Sequence, residues 1–251
     1  MCTLTFIPKN EGYLAGMNRD ELLTRPTALL PRTHSQDGME YVCPREPSGG
    51  TWIACNSLGN LLALLNWNEI DGAALGEKRR TRGLVIPDLI LEENASSTDG
   101  GLHRLSLEGV FPFRLIGVFR NERRLIEWRW DGSRIQRTES AWVRKHWFSS
   151  GLSDTAAKEE RGRVCEAASF HPTFGTTGWL RSLHRSHEPK PGPYSVCVHR
   201  HDAATVSYTE VECCPPRISM SYLSGNPCLK TDFETVTVVP LQKSLSAPKN
   251  A

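Results

Sequence analysis

The sequence lacks the features that mark membrane-spanning, secreted and nucleic-acid-binding proteins. No apolar run approaches the roughly 18 residues of a transmembrane helix, so no membrane span is expected. The N-terminal segment lacks the basic, apolar and small-residue zones of a secretory signal, which predicts a cytoplasmic protein. Thirty Lys and Arg against 28 Asp and Glu leave a formal net charge of +2, too little to attract nucleic acid or an anionic membrane.

Cysteine is sparse, and repeats are absent. Eight cysteines in 251 residues are too few for a disulfide scaffold, and no two have CxxC spacing, so we expect reduced thiols. With 39% hydrophobic residues, a chain of this length buries about three quarters of its unfolded surface. We therefore expect one domain over residues 1–251, in which 240–251 form a frayed polar tail.

Apolar alternation and turn residues predict a series of antiparallel strands. The predicted strands cover residues 2–7, 12–18, 51–56, 61–67, 113–119, 125–130, 194–200, 204–212, 217–223 and 234–241. Helices are predicted over 82–94, from a cap at Ser153 or Asp154, and over 177–186. Hairpins without regular βαβ alternation indicate an α+β protein with antiparallel sheets and helices outside them.

The residue that carries the most chemical information is Cys2, directly behind Met1. Initiator methionine is removed when the next side chain is small, so the mature chain would begin with Cys2. A free α-amine has a pKa of about 7.7–8.0 and can accept the proton of an adjacent thiol. One residue would then supply both nucleophile and base. The alternative is that Cys2 is only a small apolar residue at the start of a buried strand.

Three segments carry a family resemblance: "MCTLTF", "GYLAGMNRDELLTRP" and "GGTWIACNSLGNLLALLNWNE". They resemble the NRDE family, also called the transport and Golgi organisation family, whose motif stands here as Asn18-Arg19-Asp20-Glu21. That family resembles N-terminal-nucleophile hydrolases of the penicillin V acylase and bile salt hydrolase type. The resemblance implies a four-layer αββα sandwich that places the N-terminal cysteine between two antiparallel sheets.

The same resemblance implies roles for residues near Cys2. Asp20 would orient the α-ammonium and thiol of Cys2, like the third member of a catalytic triad. Asn66, in "LLNW", would donate to the developing oxyanion, a contribution of roughly 3–4 kcal/mol for one side-chain donor. The alternative for Asn66 is a core asparagine with its polar atoms satisfied.

Arg19 has two interpretations. The hydrolases carry an arginine at the position of Met17, and Arg19 points the same way two residues along the strand, so its guanidinium is a candidate substitute. Alternatively, Arg19 forms a structural pair with Glu21 or Asp20.

The resemblance also implies three substrate-binding residues. Asp154, in "GLSD", stands where the family has an asparagine facing the site, although a helix cap is the competing interpretation. Arg200, in "CVHRHD", corresponds to an arginine late in a strand, and Asn18 belongs to the family motif.

Seven histidines and cysteines lie between residues 184 and 214, and a group of three arginines lies between residues 79 and 82. The first group comprises His184, His187, Cys197, His199, His201, Cys213 and Cys214. Their spacing fits no common zinc signature, so we expect solvated histidines and no metal. Arg79, Arg80 and Arg82 are expected in a solvated loop, and no cofactor is expected.

Two functions follow from these observations, both with a small molecule as the partner. The first is an N-terminal cysteine amidohydrolase or acyltransferase that acts on a small linear amide or thioester, which Cys2 and Asp20 favour. The second is a non-catalytic binding or trafficking protein for a hydrophobic ligand such as a lipid, acyl-CoA or haem, which Met17 and Asp154 favour.

Overall fold

The computed structural model describes residues 2–70 and 80–241, except for the side chains of 235–238. Strands make up most of the regular structure in these ranges. They are β1 (Cys2–Pro8), β2 (Tyr13–Leu22), β3 (Leu29–Gln36), β4 (Met39–Arg45), β5 (Ile53–Asn56), β6 (Leu61–Asn66), β7 (Phe113–Phe119), β8 (Arg124–Trp130), β9 (Ile135–Ser140), β10 (Lys145–Ser149), β11 (Ala203–Cys214), β12 (Arg217–Ser224) and β13 (Glu234–Pro240). The helices are α1 (Val85–Leu89), preceded by a 3₁₀ turn over Arg82–Leu84, α2 (Ala95–Arg104), α3 (Asp154–Ala168) and α4 (Thr177–His184).

The described strands form two antiparallel sheets packed face to face. One sheet has the order β10-β1-β2-β11-β12-β13, and the other has the order β3-β4-β5-β6-β7-β8-β9. Helices α3 and α4 pack on the outer face of the first sheet, and α1 and α2 pack on the outer face of the second. The α+β class and the four-layer αββα sandwich are therefore confirmed. No helix in the described ranges is long and apolar enough to cross a bilayer.

Strand β1 shows how the sequence divides between layers. Successive side chains of a strand point to opposite faces. Cys2, Leu4 and Phe6 belong to the core between the sheets, whereas Thr3 and Thr5 face the helix side. The alternation therefore places the sulfur of Cys2 between the sheets, at the first residue of the strand.

The first hairpin forms as predicted. Its turn is closed by the Lys9 N–H, which donates to the Gly12 carbonyl over 3.0 Å. A Cβ atom at Gly12 would lie 1.9 Å from the carbonyl oxygen of Cys213, so only glycine allows β11 to approach the turn this closely. The predicted hairpins at 51–67 and 113–130 are also present, and Ser153 is the residue that caps α3.

Several predicted boundaries are wrong. The helix predicted over 82–94 ends at Leu89, and α2 follows as a separate helix because Asn94 caps it with a capping box. Residues 194–200 form no strand, since their N–H groups bond to loop carbonyls such as those of Ser186 and Gly192. Strands β3, β4, β9 and β10 were not predicted, and the polar tail beyond 241 lies outside the described residues.

Two histidines share one hydroxyl group under helix α4. His146 Nδ1 and His184 Nε2 each lie 3.0 Å from Thr5 Oγ1, and because the hydroxyl has one proton to donate, at least one of the two ring nitrogens must donate to it. Burial lowers the pKa of His146 to about 4 and that of His184 to about 3. His184 is fully buried, so the expectation of a solvated histidine is wrong there; it lies four residues after Leu180 on the inner stripe of α4.

We expect these histidines to make stability depend on pH. Both are neutral in the folded protein, whereas the unfolded chain protonates them near their ordinary pKa. Their contribution to the free energy of unfolding is therefore fully present above about pH 6.5 and is lost as the pH falls. Each contributes a slope of up to about 1.4 kcal/mol per pH unit. Urea unfolding between pH 7 and pH 5 measures the slope. A His184→Gln variant that retains the full slope of the unmodified protein would contradict this assignment.

Candidate functional site

Cys2 lies at the end of β1 between two neighbouring strands. It is paired with Ser149 of β10 on one side and with Arg19 of β2 on the other. The Cys2 backbone nitrogen donates to Ser149 Oγ over 2.9 Å, and the backbone N–H of Asp20 hydrogen-bonds to the Cys2 sulfur. Both the nitrogen and the sulfur of Cys2 therefore have specific polar partners inside a buried site.

Asp20 forms a buried ion pair behind Cys2. Its Oδ2 lies 3.4 Å from Nη1 of Arg161, and neither side chain is exposed. Its Oδ1 accepts a 2.6 Å hydrogen bond from the Thr205 hydroxyl. Arg161 also donates to Thr3 Oγ1 over 2.8 Å and to the Cys2 carbonyl over 3.4 Å. The carboxylate is thus held by groups from α3 and β11, and the same guanidinium contacts β1.

Electrostatics leave the Cys2 thiol protonated in the folded protein. Burial raises its pKa, and the charge of Asp20 raises it further, while Arg19 and the Asp20 N–H lower it in part. Burial also raises the pKa of the Asp20 carboxyl, against the opposing effects of Arg161 and Thr205. A thiol in this state needs a base to become a nucleophile.

A cavity of about 430 Å³ opens beside Cys2. All four predicted catalytic residues line this cavity, together with further charged side chains. The lining residues are Cys2, Arg19, Asp20, Glu21, Arg25, Glu46, Ser48, Thr51, Trp52, Leu64, Asn66, Arg80, Thr81, Arg82, Gly83 and Phe111. Asn66 is the last residue of β6, from the opposite sheet, so the cavity lies at the edge of the space between the two sheets.

Arg19 lies in this cavity and is also paired. Its Nη2 lies 2.6 Å from Glu46 Oε1 and 3.4 Å from Glu21 Oε2, and its guanidinium stacks 4.5 Å from the centre of the Trp52 ring. The predicted partner Glu21 is therefore present, and Glu46 is the shorter contact. Arg19 is held over an aromatic face while remaining on the same wall as Cys2.

The three predicted substrate-binding residues do not line this cavity in the described structure. Asn18 is buried on the helix side of β2, where its amide donates to the carbonyls of His184 and Val196 over 2.9 and 2.8 Å. Arg200 forms a 2.7 Å ion pair with Asp202. The roles assigned to these residues stay predictions.

Asp154 joins two loops near the start of α3. Its Oδ1 accepts from the Ser150 N–H over 2.6 Å, and its Oδ2 accepts from the Asn68 N–H over 2.8 Å. It occupies the first helical position, beside the Ser153 cap. Asn68 lies two residues beyond Asn66, so Asp154 holds the chain that leaves the cavity wall.

Three residues of the site were not predicted. Ser149 belongs to an unpredicted strand, and Arg82, expected in a solvated loop, is half-buried in the cavity wall with Nη1 3.0 Å from the Pro112 carbonyl. Arg79 lies outside the described residues.

Arg161 is the third unpredicted residue of the site. Its burial could have been predicted from the sequence, because it stands four residues from both Ala157 and Cys165 on the buried stripe of α3.

Comparisons with known proteins show what this chain is similar to. Residues 1–165 match the family described as Transport and Golgi organisation 2. The chain belongs to this family. No curated protein matches this member of the Transport and Golgi organisation 2 family in sequence.

Solved structures extend the similarity to the whole fold of this family member. It is similar to penicillin V acylase from Agrobacterium tumefaciens, with a TM-score of 0.56, 9% sequence identity, and coverage of 93% of this chain and 84% of that chain. It also matches a mutant of the conjugated bile acid hydrolase from Clostridium perfringens, with a TM-score of 0.48, 9% identity, and coverage of 94% and 97%. The first likeness establishes the N-terminal-nucleophile hydrolase fold.

Proposed function

We propose that this protein is an N-terminal cysteine amidohydrolase or acyltransferase, with Cys2 as the nucleophile once Met1 is removed. The observation that carries the proposal is the position of Cys2. Its backbone nitrogen donates a hydrogen bond to Ser149 Oγ, its sulfur accepts one from the Asp20 N–H, and Cys2 lines a cavity. Every buried backbone N–H needs an acceptor, but the sulfur of a cysteine that served only as core would need neither a donor nor a cavity beside it.

The reaction would use groups that already surround Cys2. The freed α-amine, held by the Ser149 hydroxyl, takes the thiol proton, and the thiolate attacks the substrate carbonyl to form a carbon–sulfur bond. Asn66 donates to the oxyanion of the tetrahedral intermediate. The α-ammonium then protonates the leaving amine, and the carbon–nitrogen bond breaks to give a thioester. Water hydrolyses the thioester, or an acceptor amine takes the acyl group.

The cavity lining favours a substrate with an anionic group. Arg19 and Arg25 are within ion-pairing distance of Glu21, at 3.4 and 3.7 Å. Arg82 donates to the Pro112 carbonyl and also interacts with the charge of Glu21, and Arg80 donates to the Ser106 carbonyl. Guanidinium groups whose described hydrogen-bond partners are neutral carbonyls can bind a carboxylate or phosphate as a charged partner.

The same lining disfavours the alternative of a hydrophobic ligand at this position. Seven of the lining residues are charged, and an apolar ligand would desolvate them without replacing their hydrogen bonds. Trp52, Leu64 and Phe111 give the cavity one apolar wall, which suits an acyl chain better than a whole lipid or haem. We therefore place the acyl group of the substrate against these residues.

Intact-protein mass spectrometry combined with limited alkylation tests the proposal. We expect the untagged protein to lack Met1 and to react with iodoacetamide fastest at Cys2, because the α-amine generates the thiolate. The Cys214→Ser variant is the suitable background, since Cys214 is exposed and would otherwise react. A screen of anionic amides and thioesters, each with a neutral counterpart, then identifies the substrate.

Two results would overturn the proposal. Retention of Met1 leaves no free amine on Cys2 and removes the base from the reaction. Alkylation of Cys2 no faster than that of the buried Cys165 would show that no group at the site activates the thiol.

A further inference from the structure

Four potential metal ligands converge at a place remote in sequence from Cys2. They are His187 after α4, Cys197 and His199 in the stretch before β11, and Cys228 in the loop between β12 and β13. Their ligand atoms all lie within 4.8 Å of one another. Cys197 is buried and the other three are half-buried, so the cluster is enclosed but reachable from solvent.

The distances match a tetrahedral arrangement around one ion. The Nε2 atoms of His187 and His199 are 2.9 Å apart, and His199 Nε2 lies 3.4 Å from Cys228 Sγ and 3.9 Å from Cys197 Sγ. Zinc bonds of about 2.0–2.3 Å in a tetrahedron place the ligand atoms about 3.3–3.8 Å apart. Small side-chain movements would therefore bring all four atoms to bonding distance.

We propose that His187, Cys197, His199 and Cys228 bind one Zn²⁺ ion. Two thiolates and two imidazoles in a tetrahedral arrangement select zinc over magnesium or calcium, which prefer oxygen ligands. Four protein ligands complete the coordination shell and leave no position for a substrate, so the site is structural rather than catalytic. Sequence spacing gave no reason to expect this site, because its fourth ligand follows His199 by 29 positions.

Asn226 provides the outer shell of the site. Its Oδ1 lies 3.1 Å from Cys197 Sγ and 2.9 Å from Cys228 Sγ, and its amide nitrogen lies 3.4 Å from His199 Nε2. Metal binding deprotonates both thiols, and an Asn226 amide turned by half a rotation would then donate its N–H groups to the sulfurs. Such hydrogen bonds to ligands orient them and tune metal affinity.

The zinc site would also stabilise the hydrogen bonds that hold the Asp20 carboxylate. Val198, between two of the ligands, donates its N–H to Thr205 Oγ1 over 2.8 Å, and Thr205 Oγ1 donates to Asp20 Oδ1 over 2.6 Å. Residues 194–200 form neither helix nor strand in the described structure. A metal ion that joins this stretch to the loops at His187 and Cys228 would hold that hydrogen-bond chain in place.

Metal analysis of the untagged full chain tests the proposal. After expression with zinc and gel filtration, we expect about one zinc ion per chain, falling to about a tenth or less in Cys197→Ala and Cys228→Ala variants. Cys214→Ala and His201→Ala are matched controls from the same region outside the cluster, and each should keep a full equivalent. Addition of Co²⁺ to the metal-free protein should give the intense visible bands of tetrahedral cobalt and a thiolate charge-transfer band.

Three results would overturn the proposal. One is a full-length protein that contains no zinc and shows only the weak bands of octahedral cobalt; this measurement does not depend on the folding of any variant. Another is a Cys197–Cys228 disulfide in the native protein. The third is a control variant that loses zinc as completely as the ligand variants. None of these results depends on the chemistry proposed for Cys2.

Discussion

Replacing Cys2 with alanine is expected to abolish turnover while preserving the fold. The substitution removes the sulfur that is proposed to form the acyl bond, so kcat/KM for an amide or thioester should fall by roughly 10³-fold or more. Alanine is small enough for Met1 removal and leaves the nitrogen that Ser149 accepts from. Intact-protein mass spectrometry with an activated ester should show one added acyl group on the unmodified protein and none on the variant.

Cys214→Ala is the matched control for this experiment. Cys214 ends β11 and is exposed, so its removal should change neither turnover nor acyl labelling. Equal turnover in Cys2→Ala and the unmodified protein would refute the catalytic assignment. Unchanged affinity for an apolar ligand, together with no turnover in either protein, would instead support a binding function on the same fold.

Replacing Arg161 with methionine is expected to cause a large loss of stability. Both Arg161 and Asp20 have fully buried side chains, so removal of the guanidinium leaves an unpaired carboxylate in the interior. Breaking a buried pair in this way costs about 3–5 kcal/mol of the free energy of unfolding. The change also removes donors to Thr3 Oγ1 and to the Cys2 carbonyl. Urea denaturation at neutral pH measures the effect.

Arg163→Met provides a control on the same helix. Arg163 is exposed and pairs with Glu160 on the helix surface, so its removal should cost under about 1 kcal/mol. Combining Arg161→Met with Asp20→Asn removes both charges and should recover part of the loss, as a coupling of about 0.5–3 kcal/mol. Strictly additive effects of the two substitutions would show that the ion pair does not carry the stability.

The hairpins and α3 could be predicted because their signals are local. Strands β1 and β2 adjoin in sequence, and a turn with Gly12 joins them, so alternation and turn chemistry specify the pairing. The exposed edge strands β3 and β9 carry many polar side chains, which conceals the alternation and makes them resemble loops.

The remaining parts of the site depend on contacts between distant segments. Ser149 reaches Cys2 across 147 positions, and nothing in the alternation of either strand specifies that register. Cys228 joins the histidine and cysteine cluster from a separate loop for the same reason. Cys2, Asp20 and Asn66, to which the family resemblance assigns roles, line one cavity, but the resemblance did not indicate that Arg161 and Thr205 hold the carboxylate.

The position of β11 in the middle of its sheet decides what a shortened chain would do. The family match ends at residue 165, yet β2 pairs along almost its whole length with β11, which begins at Ala203. A polypeptide that ended near residue 165 would keep Cys2 but would leave β2 as an unpaired, apolar edge strand with unsatisfied N–H and C=O groups. Unpaired strand edges of this kind pair with other chains, so a truncated product should aggregate rather than persist as an independently folded domain.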